Sequence, residues 1–167
     1  MVDTSDLIMV IAALSMFGMI LTNTNRVILG NQNTIVNAEQ EATGMALANE
    51  IIEDARRKHF NSALKDNPEG DWPSEFSDQF GAPAGANGLE DFYAWEHYHD
   101  YRDTIDTEQG KWYRSVQVHF CDLDDPGTPV NEPTFHKQMV VTVKPAENEY
   151  RVQMQSVRTA HEYYTPD

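Results

Sequence analysis

The chain has 167 residues, enough for one ordinary domain and an appended segment. It carries 27 acidic and 12 basic side chains and a formal net charge of −15, which argues against nucleic acid as a partner because phosphate contacts need clustered Lys and Arg. Cys121 is the single cysteine, so neither an internal disulfide nor a cysteine-based zinc site can form within one chain.

Residues 7–21 form an apolar run with no charge and one hydroxyl, that of Ser15. The first positive charge is Arg26, whereas a secretory signal peptide begins with basic residues. A helix of this length spans about 22 Å, and the hydrocarbon core of a bilayer is about 30 Å thick. A membrane span would need residues 2–24, with the Ser and Thr hydroxyls bonded to the helix backbone. The run is therefore predicted to enter a membrane but to be short for a permanent anchor.

A helical pattern continues beyond this run. Apolar residues recur at steps of three, four and seven, which is typical of a helix with one narrow apolar stripe. Basic residues 56–58 suit the negative pole of a helix dipole. We predict one long helix from about Ser5 to about Phe60. Its stripe consists of Ile28, Ile35, Ala38, Ala42, Met45, Ala48, Ile52 and Ala55.

Poor helix formers are concentrated between Thr22 and Thr34. Asn and Thr side chains compete for backbone hydrogen bonds, and Gly has excess conformational freedom. We therefore expect a locally stretched or unwound segment around residues 18–33. Its flexible positions are Gly18, Asn23, Asn25 and Gly30.

The second part of the chain is predicted to form a loop and then a sheet. Residues 61–110 are rich in Pro and Gly and predict a long loop, held against a core by aromatic rings. Those rings belong to Trp72, Phe76, Phe80, Phe92, Tyr93 and Trp95. Residues 111–120, 135–143 and 149–155 then alternate apolar and polar side chains, which predicts a three-stranded antiparallel meander with one buried face.

An apolar sheet face needs a cover, and the long element with a matching stripe is the second half of the helix, about residues 35–58. The predicted fold class is therefore α+β: a long N-terminal helix with its C-terminal half packed on a small antiparallel β-sheet. Residues 1–34 are predicted to form a protruding apolar helix. Residues 35–167 are predicted to form a globular head that includes the second half of the helix.

The protruding part of the helix leaves a large apolar surface exposed, which calls for a membrane or partner helices. Three interpretations are open for it: the core of a polymer, a simple membrane anchor, or a helix buried within the chain's own core. The residues predicted to pack between helices are Leu7, Ile8, Val10, Ile11, Leu14, Phe17, Ile20 and Leu21.

Two groups of polar residues are candidate metal ligands, although we predict no bound metal and no cofactor. A weak calcium candidate lies in an acidic loop, whose alternative interpretation is a solvated hairpin tip. A second candidate lies in a segment that is otherwise the polar edge of the long loop. The acidic group is Asp122, Asp124 and Asp125, and the second group is His97, His99 and Asp100.

Catalysis has little support in the sequence, and we predict that the protein is not an enzyme. It contains no Gly-rich phosphate loop, no His-Glu-x-x-His motif and no nucleophile elbow. Cys121 is followed by Asp122, whose charge would raise the pKa of the thiol and disfavour a reactive thiolate.

The order of the elements resembles that of the type IV pilin and type II secretion pseudopilin superfamily. The resemblance covers nearly the whole chain and is carried by three stretches. They are AEQEATGMALANEIIEDARR, similar to the end of the pseudopilin helix; EDFYAWEHYHDYRDTI, similar to an acidic and aromatic loop of minor pilin-like proteins; and HFCDLDDPGTPVNEPTFHKQMVVTVK, similar to the sheet of those proteins.

The resemblance implies a structural subunit of a pilus-like helical filament at the cell surface. Members of the superfamily are stored in the inner membrane by the apolar run and are then stacked so that the runs form the filament core. The implied partners are other copies of the chain, the inner membrane, and pilus or secretion assembly machinery. The alternatives are a minor pseudopilin of a type II secretion system and a single-pass, membrane-anchored acidic binding domain that never polymerises.

The family also favours Glu at the fifth position, where its charge pairs with the amino terminus of a neighbouring subunit. Here Ser5 stands at that position, between Asp3 and Asp6. A carboxylate inside an apolar bundle needs a cationic partner, so the resemblance assigns the inter-subunit charge to these two aspartates. Capping of the helix N-terminus is the alternative role, and the two roles are compatible.

Overall fold

A computed structural model describes residues 3–66, 73–147 and 149–160. It contains a long helix and a small antiparallel sheet, so the predicted α+β class is confirmed. The elements in chain order are helices α1 (Thr4–Arg56) and α2 (Ala63–Asp66), two 3-10 turns (Leu89–Asp91 and Trp95–Tyr98), and strands β1 (Arg102–Thr107), β2 (Gly110–Cys121), β3 (Pro129–Val130), β4 (His136–Pro145) and β5 (Val152–Thr159).

In this isolated chain helix α1 has 53 residues and no interruption, so residues 18–33 are neither stretched nor unwound here. Stretching of this segment on packing of neighbouring copies stays a prediction. The predicted flexible positions Gly18, Asn23, Asn25 and Gly30 all lie in regular helix. The threonines nearby bond their hydroxyls to carbonyls four residues earlier, at 2.8–3.0 Å, and thus use acceptors within the helix. The weak helix propensity of these residues is outweighed because helix formation is cooperative and the backbone hydrogen bonds of α1 continue on both sides of them.

The chain divides into two compact units, Met1–Ala42 and Thr43–Asp167. The first unit is the N-terminal part of α1. The second unit holds the end of α1, the loop region and the sheet. The predicted division between residues 34 and 35 lies earlier in the same helix.

The sheet has the order β1-β2-β4-β5, and β3 pairs with the end of β2. All of these pairings are antiparallel. The three predicted strands correspond to β2, β4 and β5. The prediction of three strands was incomplete, because β1 lies within the segment expected to be loop and β3 within the acidic connection.

The core of the second unit lies between the end of α1 and one face of the sheet. Ala48, Ile51, Ile52 and Ala55 of the helix are buried with Trp112, Val116 and Val118 of β2 and Met139, Val141 and Val143 of β4. The helix comes closest to the sheet at Gly44, where an added Cβ would lie 2.6 Å from a methyl group of Val152. Burial along α1 begins at this glycine and not near residue 35 as predicted, so Ile28, Ile35 and Met45 of the predicted stripe are exposed.

The long loop is held to this core by aromatic side chains, as predicted. Phe76, Phe92 and Trp95 are buried. The indole N–H of Trp95 donates to the carbonyl of Ala55 at 2.9 Å, which fixes the loop to the last turn of α1. The predicted anchors Phe80 and Tyr93 are half-buried, and Trp72 lies outside the described residues.

Charged side chains also lie on the core face of the sheet, at strand positions that the pattern of apolar residues did not assign to the core. The ammonium of Lys137 lies 2.7 Å from Oε2 of Glu96, and both side chains are fully buried. Lys137 also donates to the carbonyl of Phe60 at 3.0 Å, while Ser62 N–H donates to the other carboxylate oxygen of Glu96. Burial lowers the pKa of Lys137 to about 8, against the opposing effect of the Glu96 charge.

Arg114 of β2 makes a second set of contacts on this face. Its guanidinium donates to Asp103 of β1 and, at 2.9 Å, to Glu50 of α1. Since Asp103 and Arg114 are direct partners in the β1–β2 register, this pair joins two strands and the helix. The edge strand that the sequence did not predict is thus tied to the core by an ion pair between the buried Arg114 and the half-buried Asp103.

Candidate functional site

The most prominent candidate site is the apolar surface of α1 within the first unit. Its large apolar side chains are 50% to 76% exposed between Leu7 and Leu21. Their one-, three- and four-residue spacings place them on every side of the helix. The set includes every residue predicted to pack between helices: Leu7, Ile8, Val10, Ile11, Leu14, Phe17, Ile20 and Leu21. The exposed apolar surface continues beyond the predicted run at Val27, Leu29 and Val36.

This helix is long and apolar enough to cross a membrane, and its most apolar window is entirely unburied. The hydroxyl of Ser15 donates to the carbonyl of Ile11 at 2.8 Å, and those of Thr22 and Thr24 donate to carbonyls at 2.8 and 2.9 Å. In an apolar medium every polar group needs such an internal partner. Three of the five Ser and Thr hydroxyls within residues 2–24 therefore meet the condition stated for a membrane span.

The two predicted inter-subunit acids lie at the start of this helix. Asp3 directly precedes the first helical residue, Thr4, and its carbonyl accepts the N–H of Leu7 at 3.2 Å. That is the position of a helix N-cap, where a negative charge is favourable. The side chain of Asp6 lies outside the described residues. Pairing of either acid with a neighbour's amino terminus stays a prediction.

The acidic loop has the geometry of a solvated turn. Asp122, Asp124 and Asp125 are exposed. Asp122 accepts the backbone N–H of Asp124 at 3.1 Å, and Asp125 accepts the hydroxyl of Thr128 at 2.8 Å. Within residues 3–66, 73–147 and 149–160, no group of three or more His, Cys, Asp or Glu side chains is placed to hold a metal ion.

The second metal candidate is divided between two environments. His97 is buried, which lowers the pKa of its imidazole, and its Nδ1 accepts the N–H of Tyr93 at 3.4 Å. His99 places its Nδ1 2.6 Å from the carbonyl oxygen of Val118. Asp100 accepts a hydrogen bond from Gln117 at 2.7 Å, which lowers the pKa of this exposed carboxyl. His99 and Asp100 lie close together, with His99 Nε2 3.6 Å from Oδ2 of Asp100, whereas the His97 ring packs against Tyr93.

Cys121 is buried at the end of β2. Burial raises the pKa of its thiol, and the Asp122 charge raises it further. The sequence had indicated the contribution of Asp122, while burial, the larger contribution, depends on the tertiary structure.

Sequence analysis missed one further group of surface residues. Arg102, Lys144 and Arg151 lie far apart in the chain, but strand pairing brings them to the rim of one groove on the outer face of the sheet. Alternation was an available signal for Lys144 and Arg151, which have the opposite parity to the core positions, but not for Arg102, whose strand has mostly polar residues.

Comparisons of the chain with protein-family models, with curated proteins and with solved structures found no match.

Proposed function

We propose that this protein is a structural subunit of a pilus-like helical filament, assembled by packing of residues 7–21 of neighbouring copies. The observation that carries the proposal is the exposure of apolar side chains on all sides of this segment. A helix that is apolar all round belongs in a protein core or a membrane. Copies of the same helix supply such a core when they pack together.

Assembly is driven by the removal of apolar side chains from water, or by the replacement of helix–lipid contacts with more favourable helix–helix contacts. Burial of apolar surface from water contributes roughly 25 cal/mol per Å². This contribution does not depend on the orientation of the partner, so the same helix surface suits both a bilayer and a helical bundle. The internally bonded hydroxyls of Ser15, Thr22 and Thr24 are compatible with both surroundings. The inner membrane then stores the subunit before assembly machinery transfers it to a filament at the cell surface.

The resemblance to the pilin and pseudopilin superfamily supports the same function. It rests on the order of elements: an apolar run, a continuous helix, an aromatic loop and a small antiparallel sheet. The α+β architecture of the second unit agrees with that order. The proposal includes no catalytic step and no cofactor.

A single-pass membrane protein is the second candidate, and the length and composition of α1 favour it. The two functions differ in stoichiometry. A filament subunit repeats along a polymer, a minor pseudopilin occurs once at a filament end, and an anchored binding domain stays monomeric in the membrane.

A charge placed in the apolar run tests the proposal. We expect Leu14→Glu to abolish filaments, because an unpaired carboxylate in an apolar bundle costs several kcal/mol. Gln32→Glu is the matched control, since it adds the same charge to an exposed position of α1 outside the run. Electron microscopy measures assembly, and circular dichroism verifies that the sheet is retained. Unchanged filaments of Leu14→Glu, or a native chain that stays monomeric in detergent and after its removal, would contradict the proposal.

A further inference from the structure

The outer face of the sheet carries a shallow groove with a cationic rim. The groove has a volume of about 640 Å³ and lies across β1, β2 and β4. Its exposed cations are Arg102, Lys144 and Arg151. The ring of Tyr113 is 42% exposed and lies 5.9 Å from the ammonium of Lys144.

Ion pairing within the described part of the chain does not involve these three cations. Among the residues that the structure describes, none of them has a carboxylate within salt-bridge distance, whereas Lys111 pairs with Asp106 at 3.9 Å. Unpaired cations clustered on one surface of a chain with a net charge of −15 provide a site for an anionic group.

The acidic loop between β2 and β4 has the complementary chemistry. Residues 122–132 contain four acids and no base. Asp122, Asp124 and Asp125 are exposed, and the apolar side chain of Leu123 among them is 58% exposed. The loop therefore offers several carboxylates and one apolar side chain, as the groove offers several cations and one ring.

The groove lies along the middle of β2, and the acidic loop begins at the end of the same strand. Ser115 of β2 lines the groove, and Asp122 follows the last residue of the same strand. At about 3.3 Å per residue Asp122 lies roughly 23 Å along the strand from Ser115, and roughly 17 Å from Gln117, which also lines the groove. No residue of the loop lines the groove of its own molecule, whereas the loop of a second copy can enter it when two copies meet head to tail.

We propose that the groove binds the acidic loop of the next copy of this chain in the filament, an inference that rests on the proposed function. The guanidinium groups of Arg102 and Arg151 form charge-assisted hydrogen bonds to the neighbour's Asp122, Asp124 and Asp125. Leu123 of that neighbour packs on the ring of Tyr113.

A contact of this kind is heterologous, because different surfaces of the two copies meet. Such contacts give open helical arrays when the rotation does not close a ring. The acidic loop of each copy then binds one neighbour, and its groove binds the loop of another, so the contact repeats along the polymer. The contact also fixes the relative orientation of the copies, which the packing of apolar helices alone does not. The favoured occupant is the second copy because the chain supplies both the anions and the apolar side chain that match the groove.

Disulfide cross-linking of the full chain tests this contact. In a Cys121→Ser background, Ser115→Cys with Asp124→Cys places one thiol at the groove and one in the loop. We expect oxidised filaments of this double variant to give a ladder of multimers with three or more chains, while each single variant gives at most dimers. Filaments whose double variant also gives no more than dimers would overturn the contact.

Charge exchange provides a second measurement without introduced cysteines. We expect Lys144→Glu with Arg151→Glu to raise the critical concentration for assembly about tenfold, and added Asp124→Lys with Asp125→Lys to restore it, since opposite charges again meet. An unchanged critical concentration, or binding of a soluble anionic polysaccharide to the groove within intact filaments, would overturn the contact alone. Absence of any filament from the native chain would overturn the proposed function as well.

Discussion

Lys137 and Glu96 form a charged pair at the centre of the second unit. The ammonium of Lys137 lies 4.8 Å from the ring centres of Phe60 and Phe120 and 5.7 Å from that of Phe80. Aromatic faces and one carboxylate thus replace the water that the ammonium loses on burial. The pair joins β4 to the 3-10 turn of the loop, which is how a segment without regular structure is held in one position.

Removal of one member of this pair should strongly destabilise the protein. We expect Lys137→Met to lower the free energy of unfolding by about 3–5 kcal/mol, because Glu96 would remain buried without its counter-charge. The double variant with Glu96→Leu should recover part of this loss. Lys111→Met is the matched control, since its pair with Asp106 is exposed and should contribute less than about 1 kcal/mol.

Denaturant titration of the full chain in detergent, followed by the fluorescence of the buried Trp95 and Trp112, measures these differences. Equal effects of Lys137→Met and Lys111→Met would show that the buried pair has no special role.

At the scale of elements, α1 has different surroundings along its length. Residues 7–21 are exposed and apolar on every side, while Gly44 and the residues that follow on its face are packed against β5 and β2. Gly44 permits this contact because it has no Cβ. Gly30 lies in the same helix, and beyond the adjacent residues and backbone of that helix no heavy atom lies within 4 Å of the position that a Cβ would take.

Substitution of these two glycines should have opposite effects on stability. We expect Gly44→Ala to destabilise the second unit by about 1–3 kcal/mol, because the clash with Val152 exceeds the gain in helix propensity of roughly 1 kcal/mol. Gly30→Ala should leave the thermal midpoint of the detergent-solubilised monomer unchanged or raise it. Two variants that both raise this midpoint would show that the helix does not approach the sheet at Gly44.

At the scale of the whole molecule, each unit is suited to a different environment. The first unit exposes apolar side chains and needs lipid or other helices. The second unit has its own hydrophobic core, which begins at Gly44 and includes no residue of the first unit. This difference is the reason that the proposed function assigns assembly to the apolar run of the first unit.

Deletion of residues 1–30 should therefore give a soluble, folded monomer. The fragment retains the hydrophobic core of the described residues, and it loses the apolar run, whose exposed side chains call for lipid or other helices. Sedimentation velocity and circular dichroism measure its size and its structure. Deletion of residues 1–50 is the control that should unfold, because it removes Ala48 from the core. An unfolded fragment after the shorter deletion would contradict the independence of the second unit.

Strands β2, β4 and β5 could be predicted because each alternates apolar and polar residues over several positions. Strand β1 could not, since Arg102–Thr107 has mostly polar residues and depends on pairing with β2 and on the Asp103–Arg114 ion pair. The unbroken course of α1 through residues 18–33 in the isolated chain was not predicted, because local propensities there are weak and hydrogen bonding along a helix is cooperative.

The sequence by itself determined that this protein has a long N-terminal helix, an apolar run at residues 7–21 and an antiparallel sheet, because periodicity and composition are local properties. The tertiary structure decided where the helix meets the sheet, which charges are buried, and that Arg102, Lys144 and Arg151 share one groove. Those features arise from residues far apart in the chain, whose proximity depends on strand order and register and therefore leaves no pattern in any short segment.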